Sequence, residues 1–361
     1  MKVLFQNRPN AFEAWGGDTT QMVATKEALE KQGVEIDVSL DPEPDLRGYD
    51  LVHIFNIQTA EHGVLQARNA RRSGVPIALS TIYWDRRHML SSSDFMTYHS
   101  SPLVRVLSKI GKPLARFMLS RHRIAQEKLM AEMLQSADVI LPNSIAEDEI
   151  LVDVFRMPFL RAKSVIVPNA VSQENETPES KITEEQLESL PKSYLLEVAN
   201  FDPGKGQLNL IRGMMDRPEI PIVLIGRESV PKYRAACRVL SEKRGNTFFI
   251  DHVPHDQINR FYKRARVHAL PSLRESPGLA TLEAAMNGAN CVVSIHGPII
   301  EYFGSDAWFC DPMKPESIRE AVLAAWDAPA NTHLRETILQ RFTWPKAAQA
   351  TLDAYNRILA E

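Results

Sequence analysis

Cysteine is scarce, three in 361 residues, and Cys237, Cys291 and Cys310 follow neither the spacing of a metal site nor a disulfide framework. A reducing cytoplasm is the expected setting. Long apolar runs are also missing. With no stretch of about 18 apolar residues to cross a bilayer, the chain is expected to be soluble. The N-terminal MKVLFQNRPNAFEAW carries one lysine and a short apolar run, which suits a first strand and not a secretory leader. Neither GxGxxG nor GxxxxGK[ST] occurs, which weighs against simple dinucleotide binding and nucleoside-triphosphate hydrolysis. No Asp-x-Asp pair exists to hold a nucleotide diphosphate through a divalent cation, so no metal ligands and no prosthetic group are expected. A formal net charge of −3 argues against general nucleic-acid binding.

Composition is otherwise that of an ordinary globular protein, 44% hydrophobic and 24% charged, and the length suits two domains, each able to bury its own core. Short apolar, β-branched runs recur with helix-length amphipathic segments between them. The first series is KVLFQN from Lys2, EIDVSL from Glu35, LVHIFNI from Leu51, PIALSTIY from Pro76, VILPNS from Val139 and SVIVPNA from Ser164. A second series follows: YLLEVANF from Tyr194, PIVLIG from Pro221, TFFIDHV from Thr247, VHALPSL from Val267, CVVSIH from Cys291 and AWFCD from Ala307. Fully apolar strands alternating with helices mean parallel sheets covered on both faces, hence two Rossmann-like, doubly wound α/β domains. The polar, acidic stretch at 172–193 reads as their linker, which assigns 1–171 to an N-terminal domain and 194–340 to a C-terminal one. Residues 341–361 form an amphipathic helix through Ala347, Leu352, Tyr355 and Leu359, expected to pack back toward the N-terminal domain. Open α/β sheets bind ligands at the carboxyl ends of their strands, which places the expected active site in an interdomain cleft.

Two stretches at such strand ends carry chemistry. Asn200-Phe201-Asp202-Pro203-Gly204-Lys205-Gly206-Gln207 combines two glycines and a lysine before a helix: small residues admit an anion to the backbone and Lys205 adds a charge. An ordinary Asp-Pro-Gly turn with a solvated lysine is the plain alternative. After the strand from Val267, Glu275 and Glu283 stand with seven residues between them, and Gly278 and Leu279 lie at a helix start whose amides suit a diphosphate. Glu283 is otherwise a polar residue on a half-buried helix. In the first domain Trp15-Gly16-Gly17-Asp18 opens a helix in the same way, and a glycine-permissive loop there suits a transferring phosphate better than a plain turn.

In this ordered combination the chain resembles the retaining glycosyltransferases of the two-domain GT-B fold, family 4. The resemblance covers nearly the whole chain. It rests on Glu275 to Glu283 within RESPGLATLEAAMNG, similar to that family's E-x7-E motif, and on NFDPGKG, with the Gly16-Gly17 loop, ADVILPNS, VIVPNAV and RFTWPKAAQATLDAY in support. The resemblance implies a nucleotide-diphosphate sugar as donor, with Lys205 on the diphosphate, Glu275 on the sugar hydroxyls and Glu283 on the ribose. It implies that Ile250-Asp251-His252-Val253-Pro254 packs the nucleobase, His252 itself being more structural than catalytic. Gly297 and Glu301 are taken as structural support. Front-face displacement, in which the departing phosphate takes the acceptor proton, is the implied mechanism, and it depends on electrostatic preorganisation.

Two departures from the family pattern stand out. Asn200 occupies the place of a common arginine, so neutralisation of the diphosphate rests on Lys205, helped by Arg227. Ser80 to Asp85 lacks the histidine many members carry, and no general base is named. Tyr83, Trp84 and Asp85 are the acceptor-side candidates, Asp85 also as a catalytic one; packing under a loop is the other reading of the two aromatics. The expected acceptor is a glycan, a lipid-linked acceptor or a small molecule. Residues 100–134 interleave Arg105, Lys109, Lys112, Arg116, Arg121, Arg123 and Lys128 with apolar side chains. That pattern fits peripheral contact with the inner face of an anionic membrane and fits a solvated helix face equally. The alternative functions are a noncatalytic sugar-nucleotide-binding or assembly subunit and a GT-B-fold epimerase; polysaccharide biosynthesis is the expected setting.

Overall fold

The computed structural model describes residues 1–85, 91–98, 112–172, 181–251 and 253–360. Runs rich in Val, Ile and Leu that are apolar on both faces are stable as strands only when helices cover both sides, and the chain forms two sheets of this kind. The first holds β1 (Lys2–Gln6), β2 (Glu35–Ser39), β3 (Leu51–Phe55), β4 (Ile77–Ser80) and β5 (Val139–Leu141), in the order β2-β1-β3-β4-β5 with every pair parallel. The second holds β6 (Tyr194–Val198), β7 (Ile222–Ile225), β8 (Thr247–Ile250), β9 (Ala265–Leu270), β10 (Asn290–Ser294) and β11 (Trp308–Cys310), in the order β11-β10-β9-β6-β7-β8, again parallel throughout.

Helices α1 (Gly17–Glu30), α2 (Ala60–Ser73), α3 (Ser93–Tyr98), α4 (Lys112–Ser136), α5 (Ile145–Phe155) and α6 (Leu160–Lys163) precede the second sheet. With it come α7 (Lys181–Glu188), α8 (Gln207–Gly213), α9 (Pro231–Arg244), α10 (Asn259–Arg264), α11 (Leu279–Met286), α12 (Ile300–Phe303), α13 (Pro315–Asp327), α14 (Thr332–Arg341) and α15 (Trp344–Leu359). The chain divides into two compact units. Met1–Trp84, Phe117–Ala170 and Arg341–Glu361 form the first; Asp85–Arg116 and Val171–Gln340 form the second.

In the first unit Val52, Ile54, Ile77, Leu79 and Ile140 pack with Met130, Met133 and Leu134 of α4. The terminal helix α15 packs on α1 in this unit, where Tyr355 hydroxyl meets His53 Nδ1 at 2.5 Å while His53 Nε2 meets Ser80 Oγ at 2.9 Å. Burial lowers the His53 pKa to about 3, so the ring is neutral and serves as a hydrogen-bonding core residue. In the second unit the strands alternate between two cores: Leu195, Ile222, Leu224 and Val267 face one way, Leu196, Val223 and Ile225 the other.

Three segments differ from the sequence-based expectation. SVIVPNA forms no strand; it meets β5 through an isolated bridge at Ser164, with Val165 N–H donating to Ile140 and Val167 N–H to Pro142 at 2.9 Å each. Pro142 has no N–H to return, which limits the ladder there. Within the stretch read as a linker, α7 is helical and its Leu187 is buried in the second core. Helix α3, though early in the chain, belongs to the second unit: Arg212 of α8 donates to Asp94, 3.1 Å from Nη2 to Oδ1, and Tyr98 packs edge-on to Tyr233 of α9 with ring centroids 5.5 Å apart.

Candidate functional site

In an open parallel sheet the strand order reverses at one point, where adjacent loops diverge and leave room for a ligand. In the second sheet that point lies between β6 and β9. The two loops that leave it there are Asn200–Gly206 and Pro271–Gly278, the stretches singled out by their sequence. They are stitched together. Leu273 N–H and Ser272 Oγ–H both donate to the Gly204 carbonyl, at 2.8 and 2.9 Å. Gly206 takes φ +92°, and a Cβ on it would lie 2.2 Å from the Pro271 carbonyl oxygen, so only glycine allows this approach.

The stitching brings Lys205 and Glu275 into an ion pair, Nζ on Oε1, with the Glu275 side chain 10% exposed. A second pair lies beside it: Arg274 Nη2 donates to Asp202 Oδ1 at 2.9 Å, and the same oxygen accepts the Gly204 N–H at 2.7 Å. Gly278, at φ +92°, turns the chain into α11, whose first N–H groups have no intrahelical acceptor. Glu283 lies further along α11, with Oε1 3.1 Å from His255 Nε2 and Oε2 accepting from Tyr262 hydroxyl at 3.1 Å. A carboxylate offers about four lone-pair directions, so both oxygens keep capacity for a further donor.

Asn200 lies two residues beyond β6; its carbonyl accepts from Gln207 Nε2 at 3.2 Å. Arg227 is exposed at the end of β7, and its carbonyl accepts the Phe201 N–H at 2.9 Å. Val253 is buried in the core beside β8, while His252 lies outside the described residues.

The switch point of the first sheet lies between β1 and β3, and the Gly16-Gly17 loop leaves β1 there. Arg8 knits the loop, its Nε donating to Asp18 Oδ2 at 2.9 Å, and Asn56, at the end of β3, donates to the same oxygen at 3.2 Å. Gly16 is extended, and a side chain on Gly17 would meet no protein atom within 4 Å. After β4, Ile82 has φ +46°, rare for a β-branched residue. Glu147 fixes that turn on both sides, accepting from Thr81 hydroxyl and, at 2.7 Å, from the Tyr83 N–H. Ser144 caps α5 by accepting the Glu147 N–H at 2.9 Å. Tyr83 is a core side chain, 3% exposed and edge-on to Phe155 with ring centroids 5.6 Å apart. Trp84 and Asp85 are half-buried and follow directly.

Glu197 of β6 is the site residue that the sequence conceals, since it reads there as one position of an apolar strand. It is fully buried, neither oxygen has a hydrogen-bond partner among the described residues, and burial raises its pKa well above the usual carboxylate value. Attraction to Lys205 opposes that rise and the Glu275 charge adds to it. Burial thus favours the neutral acid over the carboxylate. Arg274 and Asp202 were equally unmarked, although Arg274 directly precedes Glu275 and Asp202 opens the Pro-Gly turn.

Two parallel-sheet α/β units, each with glycine-bearing loops at its switch point, define the GT-B type of architecture. Residues 178–338 match the family model described as glycosyl transferases group 1. Sucrose-phosphate synthase from Thermosynechococcus elongatus superposes with a TM-score of 0.76 at 16% identity, over 100% of this chain and 99% of that one. HepE of Anabaena, solved with UDP and glucose, superposes with a TM-score of 0.70 at 13% identity, over 99% of each chain. In sequence, alpha-maltose-1-phosphate synthase of Mycobacterium tuberculosis is 27% identical over 181 residues, 46% of this chain and 44% of that protein. The chain thus spans less than half the length of the curated relatives it matches, at 45% and 44% for the first two.

Proposed function

We propose that the protein is a retaining glycosyltransferase that moves a hexosyl group from a nucleotide-diphosphate sugar to a glycan, lipid-linked or small-molecule acceptor. The observation that carries this reading is the Lys205–Glu275 pair at the β6/β9 switch point, with Glu283 downstream of the Gly278 turn. A cation, a helix start and two carboxylates in that order match the parts of such a donor: diphosphate, sugar hydroxyls and ribose. The group 1 match over residues 178–338 supports it, as does a fold shared with a protein solved with UDP and glucose.

In this reading Lys205 and the amides at Gly278 and Leu279 hold the diphosphate, with Asn200 and Arg227 beside it. Glu283 binds the ribose, and the backbone at 250–254 receives the base. The Gly16 and Gly17 amides are assigned to the transferring phosphate, and Trp84 and Asp85 to acceptor orientation. The anomeric carbon–phosphate oxygen bond breaks, the acceptor oxygen bonds to the same face, and the acceptor proton passes to the departing phosphate oxygen. The protein's part is to place charge before the reaction begins, which requires no reorganisation at the transition state.

A thermal-shift screen against UDP-, GDP-, ADP- and TDP-sugars tests the reading. A ligand at a hundred times its Kd stabilises the native state by about 2.7 kcal/mol. One nucleotide class is expected to raise the melting temperature, and Glu283→Ala to abolish the rise. No shift with any donor would refute the proposal. Binding without turnover would favour the noncatalytic subunit.

A further inference from the structure

A diphosphate brings at least two negative charges, and the loops at the β6/β9 switch point offer it little net charge. Lys205 is offset by Glu275, burial favours the neutral form of Glu197, and Asn200 carries nothing. Arg274 is the other cation built into these loops. Its guanidinium lies across the glycine that precedes Lys205: a Cβ on Gly204 would come within 2.9 Å of Nε and 3.3 Å of Cζ. The side chain is 26% exposed, and Asp202 holds it through one oxygen that also caps the Gly204 N–H.

We propose that Arg274 is a ligand of the donor diphosphate and that the Arg274–Asp202 pair is its resting position. The inference rests on the nucleotide-sugar reading. On binding, the guanidinium exchanges one Asp202 oxygen for phosphate oxygens, whose geometry its planar fork matches better than an ammonium can. Asp202 keeps its bond to Gly204 N–H, so the loop stays folded while the cation turns. Arg274 thereby supplies the second positive charge that residue 200 lacks.

The pairing with Asp202 makes the idea separable from a purely structural role. Isothermal titration of the full chain with UDP, GDP and ADP, each beside its nucleoside, isolates the diphosphate contribution. Arg274→Gln is expected to bind the preferred nucleoside diphosphate about ten- to a hundredfold more weakly, as loss of charge-assisted hydrogen bonds implies, with nucleoside affinity unchanged. Arg274→Lys should fall between it and the wild type. Asp202→Asn retains an acceptor for Gly204 N–H but removes the charge that attracts the guanidinium, so it should bind the diphosphate at least as tightly as the wild type. If Arg274 is merely a bracket between loops, both substitutions weaken binding in parallel, and that result overturns the inference. Wild-type diphosphate affinity in Arg274→Gln also overturns it. A wild type that binds none of the six compounds, nor TDP, defeats the nucleotide-sugar reading itself, and the inference with it.

Discussion

Replacing Glu197 with glutamine should stabilise the protein, and increasingly so as pH rises. Glu197 sits in β6 with both oxygens unpartnered among the described residues, and burial raises its pKa well above the 4.5 of a free glutamate. The unfolded chain releases that proton near pH 4.5, while the folded chain retains it to higher pH. Stability from this group is therefore fully present below the unfolded pKa and is lost as pH rises toward the folded one. Within that interval the native state binds one proton more than the unfolded state, which costs about 1.4 kcal/mol of stability per pH unit. Glutamine has a similar shape and no proton to lose, so Glu197→Gln removes the slope. Urea unfolding of both proteins at pH 5.5, 6.5 and 7.5 should show the difference in stability growing with pH in favour of the variant. Trp308 and Trp326, packed against the same core, report on the second unit's transition. Buried His53 and His268, both with pKa lowered to about 3, destabilise the fold as pH falls below 6.5, but both proteins carry them and the difference cancels. Parallel pH curves would refute the reasoning and mean that Glu197 is ionised in the native state.

Glu275→Gln should lower kcat by about a hundredfold or more while changing nucleotide Kd by less than about threefold, because the proposed function assigns it to the sugar and not to the nucleotide; equal losses would contradict that assignment. Gly206→Ala forces a side chain to φ +92° and toward the Pro271 carbonyl; it should cost at least about 2 kcal/mol, read as a melting temperature about 4–8 °C lower. Glu127 and Glu132, the acids of residues 112–134, lie beside Arg123 and Arg68 at 3.3 and 2.5 Å. If the basic residues of 100–134 meet a membrane, the chain should float with anionic vesicles at low salt and be released at high salt. Equal flotation with neutral vesicles, or none, would remove that idea.

Most strands were legible because parallel-sheet strands are apolar on both faces and carry the signal within five or six residues. The run at Ser164 shows its limit, since composition does not tell whether the neighbouring strand has N–H groups to offer, and Pro142 does not. Site legibility divides along a similar line. Lys205, Glu275, Glu283 and Gly278 stand in local patterns of glycine and charge, and the fold brings Lys205 and Glu275 into contact across 70 positions of sequence. Arg274 and Asp202 stand in the same two stretches, but their pairing spans 72 positions, so only the stitching of the loops reveals it. Glu197 was hidden for the opposite reason: YLLEVANF reads as one more apolar strand, and a single glutamate within it carries no pattern of its own.

The pairing of each loop cation with a carboxylate sets the order of events in the proposed reaction. In the resting site Lys205 occupies Glu275 Oε1, and Glu275 is nearly buried. A sugar hydroxyl that approaches alone must compete with a charged donor for that oxygen. A diphosphate that takes Lys205 frees the carboxylate just where the sugar lies, so the two ends of the donor assist one another. Such coupling is reciprocal between sites: a free hexose should bind more tightly in the presence of the nucleoside diphosphate, and the nucleoside diphosphate more tightly in the presence of the hexose. Lys205→Met should erase the coupling, because Glu275 is then free at all times. If titration of glucose gives the same affinity with and without saturating UDP, although UDP itself binds, the Lys205–Glu275 pair is not the switch, and Glu275 meets the sugar independently of the diphosphate.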